Sequence, residues 1–414
     1  MSQRTSSLKE KEARVVLMTV RRRWANFGGP ALVIQHLIRA NARFHEGRTK
    51  FVAVYSDGIS SADSVIKSSP LGYFRSSHLP KMLVSALDNG FSAIGFLLNL
   101  ARILSSSEGA RTIFHAHDFL SAYIYSLFSR HPLVITIHSK GGWTRESLQA
   151  YPRLTGTWVE KVIRHVETAC VKRASVVVFP SKGAYLLFQS SRPGLIPEEK
   201  LRIIYNGVDL KELDSIPDDR DLLQKYGIKR DLVVFAGGLV RDKGVDVLVE
   251  AIAALPSEIL ENITCVIIGS GILSEYLRSL IRKLNVTSSV KLVGFLERRE
   301  VLLFMKQSKI FVIPSLVSVF DYALLEAASL GSLIITTPVG GNLEMFDSES
   351  AIFVKAGSKN ELSNAIARIL QDQKTRETII SKSRRRVRER FSEEAMLKSH
   401  LQLYSRIISR LGPP

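Results

Sequence analysis

The chain has 414 residues, 45% of them hydrophobic, enough for about two to three ordinary domains with sizeable cores. No apolar run reaches the roughly 18 residues of a membrane span, and two isolated cysteines, Cys170 and Cys265, make neither a disulfide framework nor a zinc site, so a reducing, cytoplasmic setting fits. The net charge of +18 is uneven, with 28 Lys and Arg against 13 Asp and Glu in residues 1–205, and 29 against 26 in residues 206–414.

Taken in order, a polar tail over residues 1–12 precedes RVVLMTV, read as the first strand and not as a signal peptide because Arg14 interrupts the apolar run. The loop RRRWANFGGP, which holds Arg23, leads into the helical run ALVIQHLIRANARF. Gly28 and Gly29 sit just before that helix, where glycines let backbone N–H groups approach a phosphate; a simple turn is the plainer reading of the pair. TKFVAVYS is a second strand. FSAIGFLLNLARIL then reads as a core helix, with an interfacial helix as the alternative. ARTIFHAHDF is a strand running into a helix with His115, His117 and Asp118 at the junction, and VITIHSKGGW is another strand ending at His138. No carboxylate or cysteine cluster accompanies these histidines, so no metal site is read from them.

A charged helix, WVEKVIRHVETACVKRA, precedes the strands SVVVFPS and RIIYNGVD. The acidic, proline-containing LKELDSIPDDRDLLQKYGI that follows reads as a linker, and its Asp219-Arg220-Asp221 as solvated charge. A second alternation opens with DLVVFAGGLVRDKGVDVLVEAIAAL. Gly269-Ser270-Gly271 follows the next strand but lacks the third glycine of a dinucleotide fingerprint, so a hydride-transfer cofactor is not expected. SVKLVGFLERREVLLFMKQS leads to the stretch from Lys309 to Glu344, where two short apolar strands flank the helix YALLEAASLG and leave loops at Ser315–Tyr322 and Pro338–Glu344. The one carboxylate on that helix is Glu326, whose plainest reading is a solvent-facing side chain. A basic helical tail closes the chain. Strands alternating with helices in both halves, five or six strands in each, predict an α/β fold of two doubly wound, Rossmann-like domains facing across a cleft.

These pieces resemble, in order from Arg14 to about Phe391, the motifs of the family 4 glycosyltransferases, retaining enzymes of GT-B architecture. In that family two glutamates eight positions apart surround a Phe-Gly and are followed by a Gly-Gly loop. Glu326 matches the second glutamate, Phe320 the Phe, and Gly340-Gly341 with Glu344 the loop, while Ser318 stands at the first glutamate and Val319 and Asp321 at glycines. HAHDF resembles the HAHDW of glycogen synthases, which implies that His117 lies beside the transferred sugar. The resemblance implies that Lys243 holds the donor diphosphate, with Gly238 where the family has an arginine and Arg241 three residues on. It implies that the backbone near Phe295 and Leu296 receives the base, that Glu326 takes the ribose hydroxyls, and that Gly28, Gly29, Ser318, Phe320, Asp321 and Tyr322 complete the donor site. Arg23 and His138 fall on the acceptor side, and His117, Glu326 and Lys243 are the catalytic candidates.

The implied organisation is an acceptor-side domain over 13–205, a nucleotide-sugar domain over 206–391, and a last helix over 392–414 crossing back to the first domain. The implied reaction moves a sugar from a nucleotide diphosphate sugar to a sugar or lipid-linked acceptor, without a cofactor or bound metal. The net of +15 in residues 1–205 against +3 in the remainder favours an anionic partner, whether membrane headgroups, a phosphorylated acceptor or nucleic acid, with peripheral attachment at the inner face of an anionic membrane as the expectation, or serves solubility alone. Two other readings stay open: a GT-B protein that binds a nucleotide sugar or acceptor without turnover, and a nucleic-acid binder. For the latter the sequence has no recognisable module, so no nucleic acid is expected as a partner.

Overall fold

The computed structural model describes residues 13–19, 30–44, 49–55, 58–61, 65–67, 94–105, 111–219, 221–228 and 231–410. Runs of branched apolar residues between polar turns make strands buried on both faces, and two sheets result. The first contains β1 (Ala13–Met18), β2 (Thr49–Tyr55), β3 (Gly58–Ser61), β4 (Val65–Lys67), β5 (Arg111–Ala116), β6 (Leu133–Thr136), β7 (Val176–Phe179) and β8 (Leu201–Ile203), in the order β4-β3-β2-β1-β5-β6-β7-β8. The second contains β9 (Asp231–Ala236), β10 (Ile263–Ile268), β11 (Val290–Gly294), β12 (Ile310–Ile313), β13 (Leu333–Thr336) and β14 (Ile352–Phe353), in the order β11-β10-β9-β12-β13-β14. Pairing is parallel except between β2 and β3 and between β3 and β4.

Among the described residues the first sheet thus has eight strands, more than the five or six expected for each half. Its extra edge, GISS and VIK, is too short and polar to carry a strand pattern of its own. The stretch read as a linker is also folded: Leu210–Asp214 and Asp221–Lys225 are helical, and Leu213, Ile216 and Ile228 are buried in the core of the second sheet.

Strand order fixes where a ligand can sit. In the first sheet the chain leaves β1 toward β2 and later returns on its other side as β5; in the second it leaves β9 toward β10 and returns as β12. Such reversals open a crevice beyond the carboxyl ends of the strands. The residues emerging there are Thr19 and His117 in the first domain, and Gly237, Gly238 and Pro314–Ser315 in the second.

The chain crosses between domains twice, side by side. The Val208 N–H donates to Phe391 O at 2.8 Å and the Glu393 N–H to Val208 O at 3.0 Å. A Cβ at Gly207 would collide with the Ser392 carbonyl, so only glycine allows the two segments this close. After the second crossing, the helix Glu393–Arg410 lies on the helix Pro30–Phe44. Its Met396, Leu397, Leu403, Tyr404 and Ile407 share one core with Val15, Leu17, Ile113 and Val134 of the first sheet. Charges gather at the crossing: Asp209 accepts from Arg43 at 2.6 Å, and Glu393 bonds His36 and takes Arg43 at 3.3 Å. In the helix at 94–105, Phe96, Leu100 and Ile103 are buried whereas Ile94 and Leu98 are exposed. No described helix is long and apolar enough to cross a membrane.

Candidate active site

Beyond the carboxyl ends of β9, β10 and β12 lies a cavity of about 620 Å³. Gly237, Gly238, Ser270, Phe295, Leu296, Arg298, Tyr322 and Glu326 line it from the second domain, and Leu32 reaches it from the first. Gly269 closes its floor with φ +138°, and a Cβ there would strike the Gly237 carbonyl. A Cβ on Gly238 would meet nothing within 4 Å, so the cavity is open at that point.

Glu326 reaches the cavity from the helix Tyr322–Leu330. The sequence YALLEAASL is rich in good helix formers and stops at Gly331, which takes φ +99° and receives the last turn. Glu326 is 7% exposed, which overturns its plainest reading as a solvent-facing glutamate. Its Oε1 accepts from Arg298 Nη2 at 2.8 Å, and the same guanidinium donates from Nε and Nη2 to Glu212 at 2.8 and 2.9 Å. Burial pulls the Arg298 pKa down, but the charges of Glu326 and Glu212 outweigh it and hold the guanidinium above its ordinary value. Glu212 is raised by burial and pulled further down by Arg298, so the carboxylate stays ionised. Sequence reading passed over Arg298 and Glu212. Glu-Arg-Arg-Glu at a helix start looks like solvated charge, and Glu212 is 86 residues from the arginine it binds.

Lys243 and Asp321 meet at the foot of the same helix. Lys243 ends the turn Arg241–Lys243, which Gly244 at φ +62° seats against the Pro314 carbonyl. Its ammonium pairs with Asp321 Oδ1, while Asp321 Oδ2 accepts from Ser318 Oγ at 2.9 Å and Ser315 Oγ at 3.1 Å. Burial would raise the Asp321 carboxyl, but Lys243 and the two hydroxyls hold it below its ordinary value. Arg241 is exposed on this turn. The structure therefore joins Lys243, Ser318 and Asp321 in one cluster, and joins Phe295, Leu296, Tyr322 and Glu326 around one cavity. Phe320 belongs to neither group: its ring packs on Tyr322 and Phe391, with centroids 5.8 and 6.1 Å away.

On the first domain, His117 is 1% exposed at the end of β5. Its Nδ1 lies 3.1 Å from His138 Nε2, the two rings are stacked, and its Nε2 has no hydrogen-bond partner among the described residues. Burial, reinforced by the neighbouring histidines His115 and His138, holds His117 well below the usual imidazole value, so it is neutral. His115 is structural, bonded to Tyr404 Oη and Thr136 Oγ1 at 2.6 Å each. Arg23, Gly28 and Gly29 lie outside the described residues.

Contacts across the cleft hold the two sides together. Ser181 Oγ donates to Val319 O at 2.8 Å, Lys140 pairs with Asp242 at 2.8 Å, and Glu344 accepts from the backbone N–H groups of Lys182 and Gly183 at 2.8 Å each. Gly340, at φ +54°, lets its loop pass between the Ser318 carbonyl and Gly183.

Residues 218–386 match the family model of glycosyl transferases group 1, and residues 27–212 that of glycosyltransferase family 4. An uncharacterized glycosyltransferase of Methanocaldococcus jannaschii is 26% identical over 313 residues, 72% of this chain and 76% of the relative. Sucrose-phosphate synthase from Thermosynechococcus elongatus has a similar fold, with TM-score 0.74 and 20% identity over 96% of this chain and 100% of the other. So has Anabaena HepE in complex with UDP-glucose, with TM-score 0.68 and 18% identity over 95% of this chain and 99% of that one.

Proposed function

The chain belongs to the family 4 glycosyltransferases of GT-B architecture, and on that premise we propose that it moves a sugar from a nucleoside diphosphate sugar to an acceptor, with retention at the anomeric carbon. The observation that carries the proposal is Glu326, held by Arg298 on the wall of a cavity at the switch point of the second sheet. In this reading the base rests near Phe295 and Leu296, and Glu326 accepts hydrogen bonds from the ribose hydroxyls. The diphosphate lies toward Gly238, Lys243 and the start of the helix Tyr322–Leu330. Charge growing on the leaving diphosphate is met by Lys243, loop N–H groups and the helix start. The sugar extends toward His117, whose neutral ring and unpartnered Nε2 suit a hydroxyl. No enzyme nucleophile is needed if the acceptor attacks on the face that the diphosphate vacates. The donor class is supported by the UDP-glucose complex of a protein of similar fold.

The acceptor is proposed to be a sugar or lipid-linked glycan precursor, approached from His138 and the first domain. The net of +15 in residues 1–205 supports attachment to an anionic membrane surface. A thermal-shift panel of nucleoside diphosphates tests the donor half, since a ligand that binds only the folded state stabilises it by RT ln(1 + [L]/Kd). A panel in which no nucleotide raises the melting temperature rejects it. Binding without turnover is the second reading, favoured by Ser318 at a glutamate position and by the Asp321 partner of Lys243. Donor hydrolysis and transfer assays separate the two.

A further inference from the structure

We propose that Asp321 is a resident counter-ion of Lys243 with which a donor diphosphate must compete, making it the residue that sets how strongly the site prefers diphosphates over uncharged ligands. The inference rests on the reading above that Lys243 borders the diphosphate subsite. Both oxygens of Asp321 are committed inward, one to the Lys243 ammonium and the other to Ser315 and Ser318, and the residue is 7% exposed. A pair this shielded is little weakened by salt. The remaining charge balance points the same way. Arg298 is the cation among the described residues lining the cavity, and it is shared between Glu212 and Glu326. At the helix start, Lys243 pairs with Asp321, and on the cavity wall Arg298 pairs with Glu212 and Glu326. Gly238 leaves open space where a side chain could have added a charge. Of the carboxylates named here, Asp321 is the one on the lysine, so it is the one an incoming diphosphate meets there.

The test is isothermal titration of the full chain and of Asp321→Asn with UDP, GDP, ADP and dTDP, with their nucleosides, and with inorganic pyrophosphate. Asparagine keeps the shape, and its one amide oxygen can still accept from both serines while its NH2 faces Lys243, so the variant removes the carboxylate charge together with the lysine's ion pair. Diphosphate affinity is expected to rise about tenfold or more, the range of one charged hydrogen bond, with nucleoside affinity unchanged. An unchanged diphosphate-to-nucleoside ratio in a cooperatively folded variant overturns the counter-ion and leaves the donor reading standing. A gain for pyrophosphate while neither form binds any nucleotide keeps the counter-ion and removes the donor reading. Should Asp321→Asn fail to fold, Asp321→Ser is read the same way. Failure of both makes the pair a structural element and overturns the proposal.

Discussion

A single guanidinium ties Glu326, the proposed partner of the ribose, to the fold. Removing Arg298 leaves buried Glu326 without its guanidinium and beside Glu212, so Arg298→Met is expected to cost about 1 to 3 kcal/mol, below the range for a fully buried pair because Arg298 and Glu212 are partly exposed. Urea unfolding measures it, and a loss within experimental scatter would show that the carboxylates find other partners. Glu326→Gln keeps the shape, and Arg298 retains Glu212. Its expected effect is weaker binding of ribonucleotides with little change in the unfolding midpoint, because a neutral amide accepts weaker hydrogen bonds than a carboxylate. If a 2′,3′-dideoxynucleotide binds the unmutated protein as well as its parent, Glu326 has no ribose role. Lys243→Ala should weaken nucleoside diphosphate binding more than nucleoside binding, and should also destabilise the fold by leaving Asp321 buried without its cation. Lys243→Ala combined with Asp321→Asn should recover most of that stability. A double-mutant cycle with no coupling contradicts the pairing. Neither partnership was legible in the sequence. Lys243 and Asp321 are 78 residues apart, and only the side-by-side placement of β9 and β12 brings their loops together.

Elements were easier to read than their contacts. VVF, CVII, FVI and LII each announce a strand because a strand buried on both faces needs nothing but apolar residues, and the helix Tyr322–Leu330 shows its end in Gly331. Glu344 was visible only as a loop residue, since what it caps is the helix Lys182–Ser191 of the other domain. Glu344→Ala should free that helix end and loosen the closed cleft, raising the radius of gyration in solution scattering. An unchanged scattering curve would assign closure to the Ser181 and Lys140 contacts. The helix Glu393–Arg410 brings His400 against His115, which stacks on His117, and all three are held neutral by burial, His400 with its pKa lowered to about 4. Below about pH 6.5 the unfolded chain binds protons that the folded chain refuses, so stability is fully present above that value and is lost as pH falls toward the folded values. For His400 alone the loss is about 3 kcal/mol once pH 4 is passed. Asp321, Asp209 and Glu212 have lowered values, so their contributions persist until pH falls below about 4, and the window from 6.5 to 4 belongs to the histidines. Urea midpoints at pH 7.5, 6 and 5 should fall in that order, and His400→Gln should flatten the trend. A midpoint indifferent to pH would show that these rings accept protons in the folded protein.

At the scale of the whole molecule the excess positive charge lies on the half that carries the proposed acceptor side, and one helix there has an outward face suited to lipid. Trp158, Lys161, Val162 and His165 follow one another at helical spacing on Trp158–Arg173, all exposed, with Trp158 74% exposed. Exposed Tyr151 and Arg153 lie just before that helix in sequence. A tryptophan beside basic residues is the composition of an interfacial contact, in which the ring enters the headgroup layer and each cation contributes about 1 kcal/mol near an anionic surface. A charge needed only for solubility has no reason to concentrate with an exposed tryptophan on one half. The full chain is therefore expected to co-sediment with vesicles containing phosphatidylserine and not with neutral phosphatidylcholine vesicles. Binding should weaken steeply between low and high salt, because the attraction is screened over about 10 Å at 0.1 M. Trp158→Glu, at a position too exposed to matter for folding, should reduce binding without moving the thermal midpoint. Sedimentation that ignores lipid charge, or that Trp158→Glu leaves intact, would reassign the basic surface to a soluble acidic acceptor.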